Sequence, residues 1–361
     1  MWMYWIVFAW FGLMALTHMR PVSFAAIMPQ RKSSWIGIAF AFLLLTLTIG
    51  LRYEVGGDWQ SYLGHVESAS GQMLSETLAQ SDPAYQFLNW IAANYGGGVY
   101  LVNTICAALF SWGLLAFCRI QPRPWLALLI AIPYLVTVVA MGYTRQGTAV
   151  GLAMIGLVAL SERRMLRFVL FVALAATFHK SALILMPLPV LTDTRNWLWT
   201  GLWVGLTTLL FYVLLLQEAV DALVVNYIGA EYESSGAAIR VAMNAFPALI
   251  FLLWHRRFEM KPEQKRLWTW VSLGALGFVG LLWISPSSTA VDRVALYWIP
   301  LQIVIWLHFP DVFGRKGKRN PIWVMSVVTY SAAVLFVWLF FASHAFAWLP
   351  YRFYPWVWLW S

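Results

Sequence analysis

Apolar runs of about 16 to 22 residues, separated by short polar breaks, fill most of this chain. A helix needs about 20 such residues to cross a bilayer. In hydrocarbon its backbone polar groups must be paired within the segment, which favours the α-helix. With 361 residues, 61% hydrophobic and 11% charged, the chain is not a soluble globular protein. The expected fold is all-α: a single integral membrane domain over residues 1–361, with about 11–12 membrane segments. Spans are expected at Trp2–Leu16, Trp35–Leu51, Val99–Phe117, Trp125–Met141, Gln146–Leu160, Trp197–Leu216, Ile239–Trp254, Trp268–Ile284, Val294–Phe309 and Ile322–Ser343. The first run has no basic residues ahead of it and no small-residue cleavage site, so no cleavable signal peptide is expected. Cys106 and Cys118 share one expected helix about 18 Å apart, too far for a disulfide.

Charge sets the orientation. The breaks at 17–34, 119–124, 162–167, 192–196, 255–266 and 311–320 hold 18 of the 24 Lys and Arg and five of the fifteen acids. The positive-inside rule makes them cytoplasmic. The net charge of +9 is spread over these short loops, which suits a membrane surface better than nucleic acid. Arg163, Arg164 and Arg167 are then inside, and so is Arg195. The stretch from Leu166 to Leu191 must therefore go out and come back. Two short or half-spanning helices meeting at Phe178-His179-Lys180-Ser181 satisfy this, with one tilted span as the alternative. Irregular backbone at that depth needs protein or a water-filled cavity around it, so His179 is expected at the floor of an outward-facing cavity.

Two outer segments, 52–98 and 217–238, are long enough to contribute to a site. In the first, Pro83 to Tyr95 reads as an amphipathic helix with Tyr85, Leu88, Trp90 and Ile91 near one face. The aromatic tail from Trp348 to Trp356 reads as an interfacial anchor.

Four outer cations, Arg145, Lys180, Arg240 and Arg293, stand at or near the outer starts of descending helices. A cation at that partially positive end is unfavourable by roughly 0.3–1 kcal/mol. The pattern points to an anion such as phosphate, which Arg and free helix N–H groups bind well. Neutralisation by Glu54, Asp58, Glu231, Glu233 or Asp292, including a local Asp292-Arg293 pair, is the bland account, as is snorkelling to headgroups. Glu54 and Asp58 flank a Gly56-Gly57 pair that argues for a tight turn. Either carboxylate, or His179, is a candidate for deprotonating a hydroxyl. Tyr53, Trp59 and Tyr62 are candidates for stacking on sugar rings, and Arg52 either joins them or snorkels at its helix end. The six His are scattered, and no pair has the spacing of a metal site.

Four stretches resemble the ordered signatures of the EpsG-like family of Wzy-type bacterial polysaccharide polymerases. They are Arg52-Tyr53-Glu54-Val55-Gly56-Gly57-Asp58-Trp59-Gln60-Ser61-Tyr62, Thr144-Arg145-Gln146, Phe178-His179-Lys180-Ser181-Ala182-Leu183 and Asp292-Arg293-Val294-Ala295-Leu296-Tyr297. The resemblance implies a GT-C-like, inverting glycosyltransferase of the bacterial inner membrane, working at the periplasmic face without metal or other cofactor. Its donor and acceptor would be undecaprenyl-diphosphate-linked oligosaccharides, with a chain-length-regulating co-polymerase as a possible partner. It adds Gln146 and Tyr297 to the substrate-facing set. A lipid-linked oligosaccharide flippase or other secondary transporter should show two related halves, and a membrane acyltransferase should pair its His with a carboxylate; neither pattern is visible.

Overall fold

The computed structural model describes residues 1–19, 35–192, 236–285 and 287–360, with parts of 198–209. Most of the expected span 197–216, and Glu218, Glu231 and Glu233 of the second outer segment, lie outside the described residues. Helices dominate: α1 Trp2–Thr17, α2 Trp35–Gly50, α3 Trp59–Ala69, α4 Leu74–Leu78, α5 Pro83–Tyr95, α6 Gly98–Arg119, α7 Pro124–Ala131, α8 Thr144–Ser161, α9 Met165–Phe178 and α10 Leu188–Thr192. They are followed by α11 Ala237–Leu253, α12 Pro262–Ile284, α13 Ser288–Ala295, α14 Ile299–Phe313, α15 Pro321–Phe341 and α16 Tyr354–Trp360. Among the described residues α6, α12, the run Ser288–Phe313 and α15 are long and apolar enough to cross a membrane, and several shorter apolar helices stand beside them. The chain is an all-α, polytopic membrane protein.

The span expected at Trp125–Met141 changes type midway. Pro133 lacks an N–H and its ring crowds the carbonyl four residues back. From there the ladder widens into a π-helix, Ile132–Ala140. Thr137 adds a side-chain bond to this register, its hydroxyl donating to the Ile132 carbonyl at 2.9 Å. At the centre α6 and α8 meet backbone to backbone: a Cβ on Gly113 would lie 1.9 Å from the Gly151 carbonyl oxygen.

Ion pairs sort the molecule into two ends. Arg123–Asp311 (2.7 Å), Arg163–Glu263 (2.5 Å), Arg164–Glu162 (3.3 Å) and Lys316–Glu259 join only the basic breaks. Arg145–Asp82 (2.9 Å), Arg240–Asp292 (2.7 Å) and Arg352–Glu54 (2.7 Å) join only the opposite ones. None of these pairs crosses between the two sets. The segment after Arg164 also behaves as parity requires. Helix α9 leaves the basic end and stops at His179, whose backbone is extended (φ −159, ψ 114). A 3-10 helix, Lys180–Leu185, and α10 then return, and the Thr192 carbonyl accepts from Arg266 at the basic end, at 3.3 Å.

In the first outer segment α5 has the expected bounds but a different inner face. Tyr85, Gln86, Asn89 and Ala92 are buried, whereas Leu88, Trp90 and Ile91 are only partly so. Its core side is thus half polar, which an apolar-face reading could not find. Cys106 and Cys118 are buried free thiols.

Candidate active site

The site is built on the loop that follows α2. Arg52 turns back under this loop and is fully buried. Its guanidinium donates to the Ile49 carbonyl at 2.6 Å, the Val55 carbonyl at 3.1 Å and the Thr144 hydroxyl at 2.6 Å. A cation beside the last carbonyls of a helix complements the dipole. Arg52 therefore braces the loop onto the start of α8 rather than snorkelling. Gly56 (φ +104) lies so close to the next turn that a Cβ there would sit 2.6 Å from the Met141 carbonyl oxygen. Its N–H donates to the Ala347 carbonyl at 2.8 Å.

The turn separates the two carboxylates. Glu54, in left-handed backbone (φ 53), faces outward and pairs with Arg352 at 2.7 Å. Asp58 opens α3, is half-buried, and its carboxylate makes no hydrogen bond or ion pair with the described residues. The aromatic rings are packed rather than presented. Trp59 is buried against Tyr53 and Tyr100, with the Arg52 guanidinium 5.9 Å from its ring centre. Tyr62 is buried too, accepting from the Thr144 N–H at 2.9 Å and lying 3.3 Å from the Gly142 carbonyl. Burial, with Asp58 nearby, pushes its phenol up to about 12, so it remains a hydroxyl. Tyr53 is half-buried.

These contacts fix the turn Met141–Tyr143 and, with it, the first residues of α8. Arg145 emerges next to Tyr85, 5.6 Å from that ring's centre, and binds Asp82. The adjacent Gln146 is buried and donates through its side-chain amide to the Arg293 carbonyl, tying α8 to α13. The Arg293 guanidinium stacks 4.4 Å above Tyr143. Asp58, Arg240 and Asp292 act on the same Tyr143 phenol electrostatically.

At the break after α9, the His179 Nδ1 lies 2.6 Å from the Ser181 hydroxyl, which donates to the Tyr297 hydroxyl at 3.2 Å. Arg145 and Arg293 both lie within electrostatic reach of the ring. Lys180 lies within electrostatic reach of the Asp82 carboxylate. Asp292 does not pair locally with Arg293; both its oxygens engage the fork of Arg240, at 2.7 and 2.8 Å.

Arg145, His179, Lys180, Arg293 and Tyr297 therefore gather around the break after α9, with Asp58 in electrostatic reach of the Tyr143 phenol under Arg293, while Arg52, Trp59 and Tyr62 are buried in the loop that braces α8 and Glu54 faces the tail. Asp82 is a member of the site that the sequence does not mark out. Asp before Pro ahead of an amphipathic run reads as a helix N-cap, yet here the side chain makes no cap bond and reaches Arg145 instead. The tail also does more than anchor: Trp348 donates to the Thr137 carbonyl at 2.7 Å, and Arg352-Phe353 pairs antiparallel with Arg52-Tyr53. No curated protein and no solved structure matches this chain. The model of the EpsG family does, over residues 35–353, a stretch that includes all four converging motifs. The chain belongs to the EpsG family, a family of Wzy-type polysaccharide polymerases.

Proposed function

We propose that the protein is an inverting, GT-C-like glycosyltransferase that moves a growing undecaprenyl-diphosphate-linked glycan onto an incoming lipid-linked repeat unit, at the periplasmic face of the bacterial inner membrane. The observation that carries this is the meeting of Arg145 and Arg293 at the His179 break beside Lys180, with Asp58, whose carboxylate is unengaged among the described residues, in electrostatic reach of the Tyr143 phenol below Arg293. Arg293 and Lys180 make no ion pair among the described residues. Helix α9, at 14 residues, rises only about 21 Å against a hydrocarbon core of about 30 Å. That shortfall supports a recessed site, as a lipid-linked diphosphate requires.

In this reading the acceptor hydroxyl oxygen attacks the anomeric carbon and its proton goes to Asp58. The bond from that carbon to the diphosphate oxygen breaks, and the electron pair leaves with the diphosphate. Preorganised cations stabilise the charge as it develops. Asp58 is preferred to Glu54 because Arg352 occupies Glu54, and to His179 because Arg145 and Arg293 beside that ring oppose the charge it would gain on taking a proton. The cations take the place a metal would fill, so chelator is expected to leave the reaction unchanged. The test is purified protein with a lipid-linked repeat unit. Wild type should give a ladder of products with or without EDTA; R293A and D58N should remain folded in detergent, give no ladder and leave single units on lipid. A ladder of normal length from R293A would overturn the anion site, and the absence of any ladder from wild type would overturn the polymerase reading.

A further inference from the structure

Arg145 already holds a carboxylate where the proposed reaction needs a diphosphate. The Arg145–Asp82 contact is a single nitrogen-to-oxygen bond at 2.9 Å, with the Arg145 side chain 31% exposed and Asp82 7%. The neighbouring Arg240–Asp292 pair is a two-point fork, 13% and 8% exposed. Two-point forks are geometrically locked, whereas Arg145 keeps donors free on its open side. Asp82 is also placed at some cost. It adopts left-handed backbone (φ 59, ψ 67) directly before Pro83, a conformation uncommon for a residue with a side chain. Nothing in capping requires this, because the carboxylate makes no cap bond.

Resting on the polymerase reading, we propose that Asp82 is an internal stand-in for the diphosphate: it occupies Arg145 in the empty site, is displaced when lipid diphosphate binds, and returns to expel the spent carrier. The Lys180 charge, which also acts on Asp82, keeps the displaced carboxylate within reach. Burial already pushes the Asp82 carboxyl up, against the pull of Arg145, so release from Arg145 favours taking up a proton over remaining an unpaired buried charge. Asp82 is thus a positioning residue that trades donor affinity for turnover. A competitor that must be displaced weakens binding by its own strength.

The test uses full-length protein in detergent with farnesyl diphosphate as probe, alongside the ladder assay. D82N and D82S both retain good N-cap residues, so a capping role alone would leave binding unchanged. The latch makes both variants bind farnesyl diphosphate about two- to fivefold more tightly, the size of one partly exposed ion pair. KM for the lipid-linked unit and kcat should then fall together, as spent carrier leaves more slowly. Unchanged or weaker binding in folded D82N and D82S overturns the proposal. Failure of both variants to fold also overturns it, because the pair would then be a brace the fold cannot release. A wild-type protein that gives no ladder would count against the polymerase reading instead, so the two failures are distinguishable.

Discussion

Tyr62 joins two stretches 80 residues apart in the chain, and through them it sets where Arg145 begins. Its hydroxyl is the acceptor for the Thr144 N–H at 2.9 Å, the amide immediately before that arginine. Y62F keeps the ring and its packing but leaves this buried N–H without a partner, which costs about 1–3 kcal/mol. A lower unfolding midpoint in detergent and a large loss of ladder are expected. Y53F, altering a half-buried ring with no such bond, should be close to wild type in both measurements. If Y53F were the more damaging change, the Tyr53 hydroxyl would be the group that serves the substrate. The grouping of these residues was legible in the sequence, because a cation, two carboxylates, a Gly pair and three aromatic rings stand together in one polar break. Their division into supports and reactive groups was not. Whether Arg52 or Tyr62 faces solvent depends on Thr144 and Gly142, and no local pattern reports contacts of that range.

At the scale of elements, the contact between α6 and α8 decides the position of the site, since α8 carries Arg145 and Gln146. A Cβ on Gly151 would lie 2.6 Å from the Phe110 Cα, against backbone that cannot turn aside. Without a hydrophobic drive between helices in lipid, close approach through small residues supplies the packing. G151L should separate the two helices, lowering the unfolding midpoint and abolishing polymer. The same substitution at Gly277, where a Cβ would meet nothing within 4 Å, should be tolerated. Equal tolerance at both positions would show that the contact does not hold α8 in place. The spans and the break at His179 were readable because length, apolar runs and charge parity are local or additive properties. The polar inner face of α5 was not, because it depends on what packs against it, and Pro133 marks a break in the ladder without saying that the chain re-pairs as a π-helix.

Across the whole molecule, the tail is the element that closes the site's outer support. The Ala347 carbonyl receives the Gly56 N–H, the Trp348 indole donates to the π-helix, and the Tyr4 hydroxyl donates to the Trp348 carbonyl at 2.8 Å. Tyr354 stacks on Tyr100 with ring centres 3.6 Å apart. As sequence the tail reads as an interfacial anchor, since aromatic density is the only property it shows by itself; its partners lie at the other end of the chain and in its middle. Two substitutions separate packing from charge. Trp348 is 2% exposed, and replacing a buried ring of that size by Ala costs about 3–5 kcal/mol. Arg352 and Glu54 are 50% and 44% exposed, and such pairs contribute no more than about 1 kcal/mol. W348A is therefore expected to lower the unfolding midpoint and lose polymer, because the turn before Arg145 loses its outer wall. R352A should keep a wild-type midpoint and a ladder of normal length. A severe defect in R352A with a mild one in W348A would mean that the tail works by charge, and would move Glu54 from a supporting position back into the site.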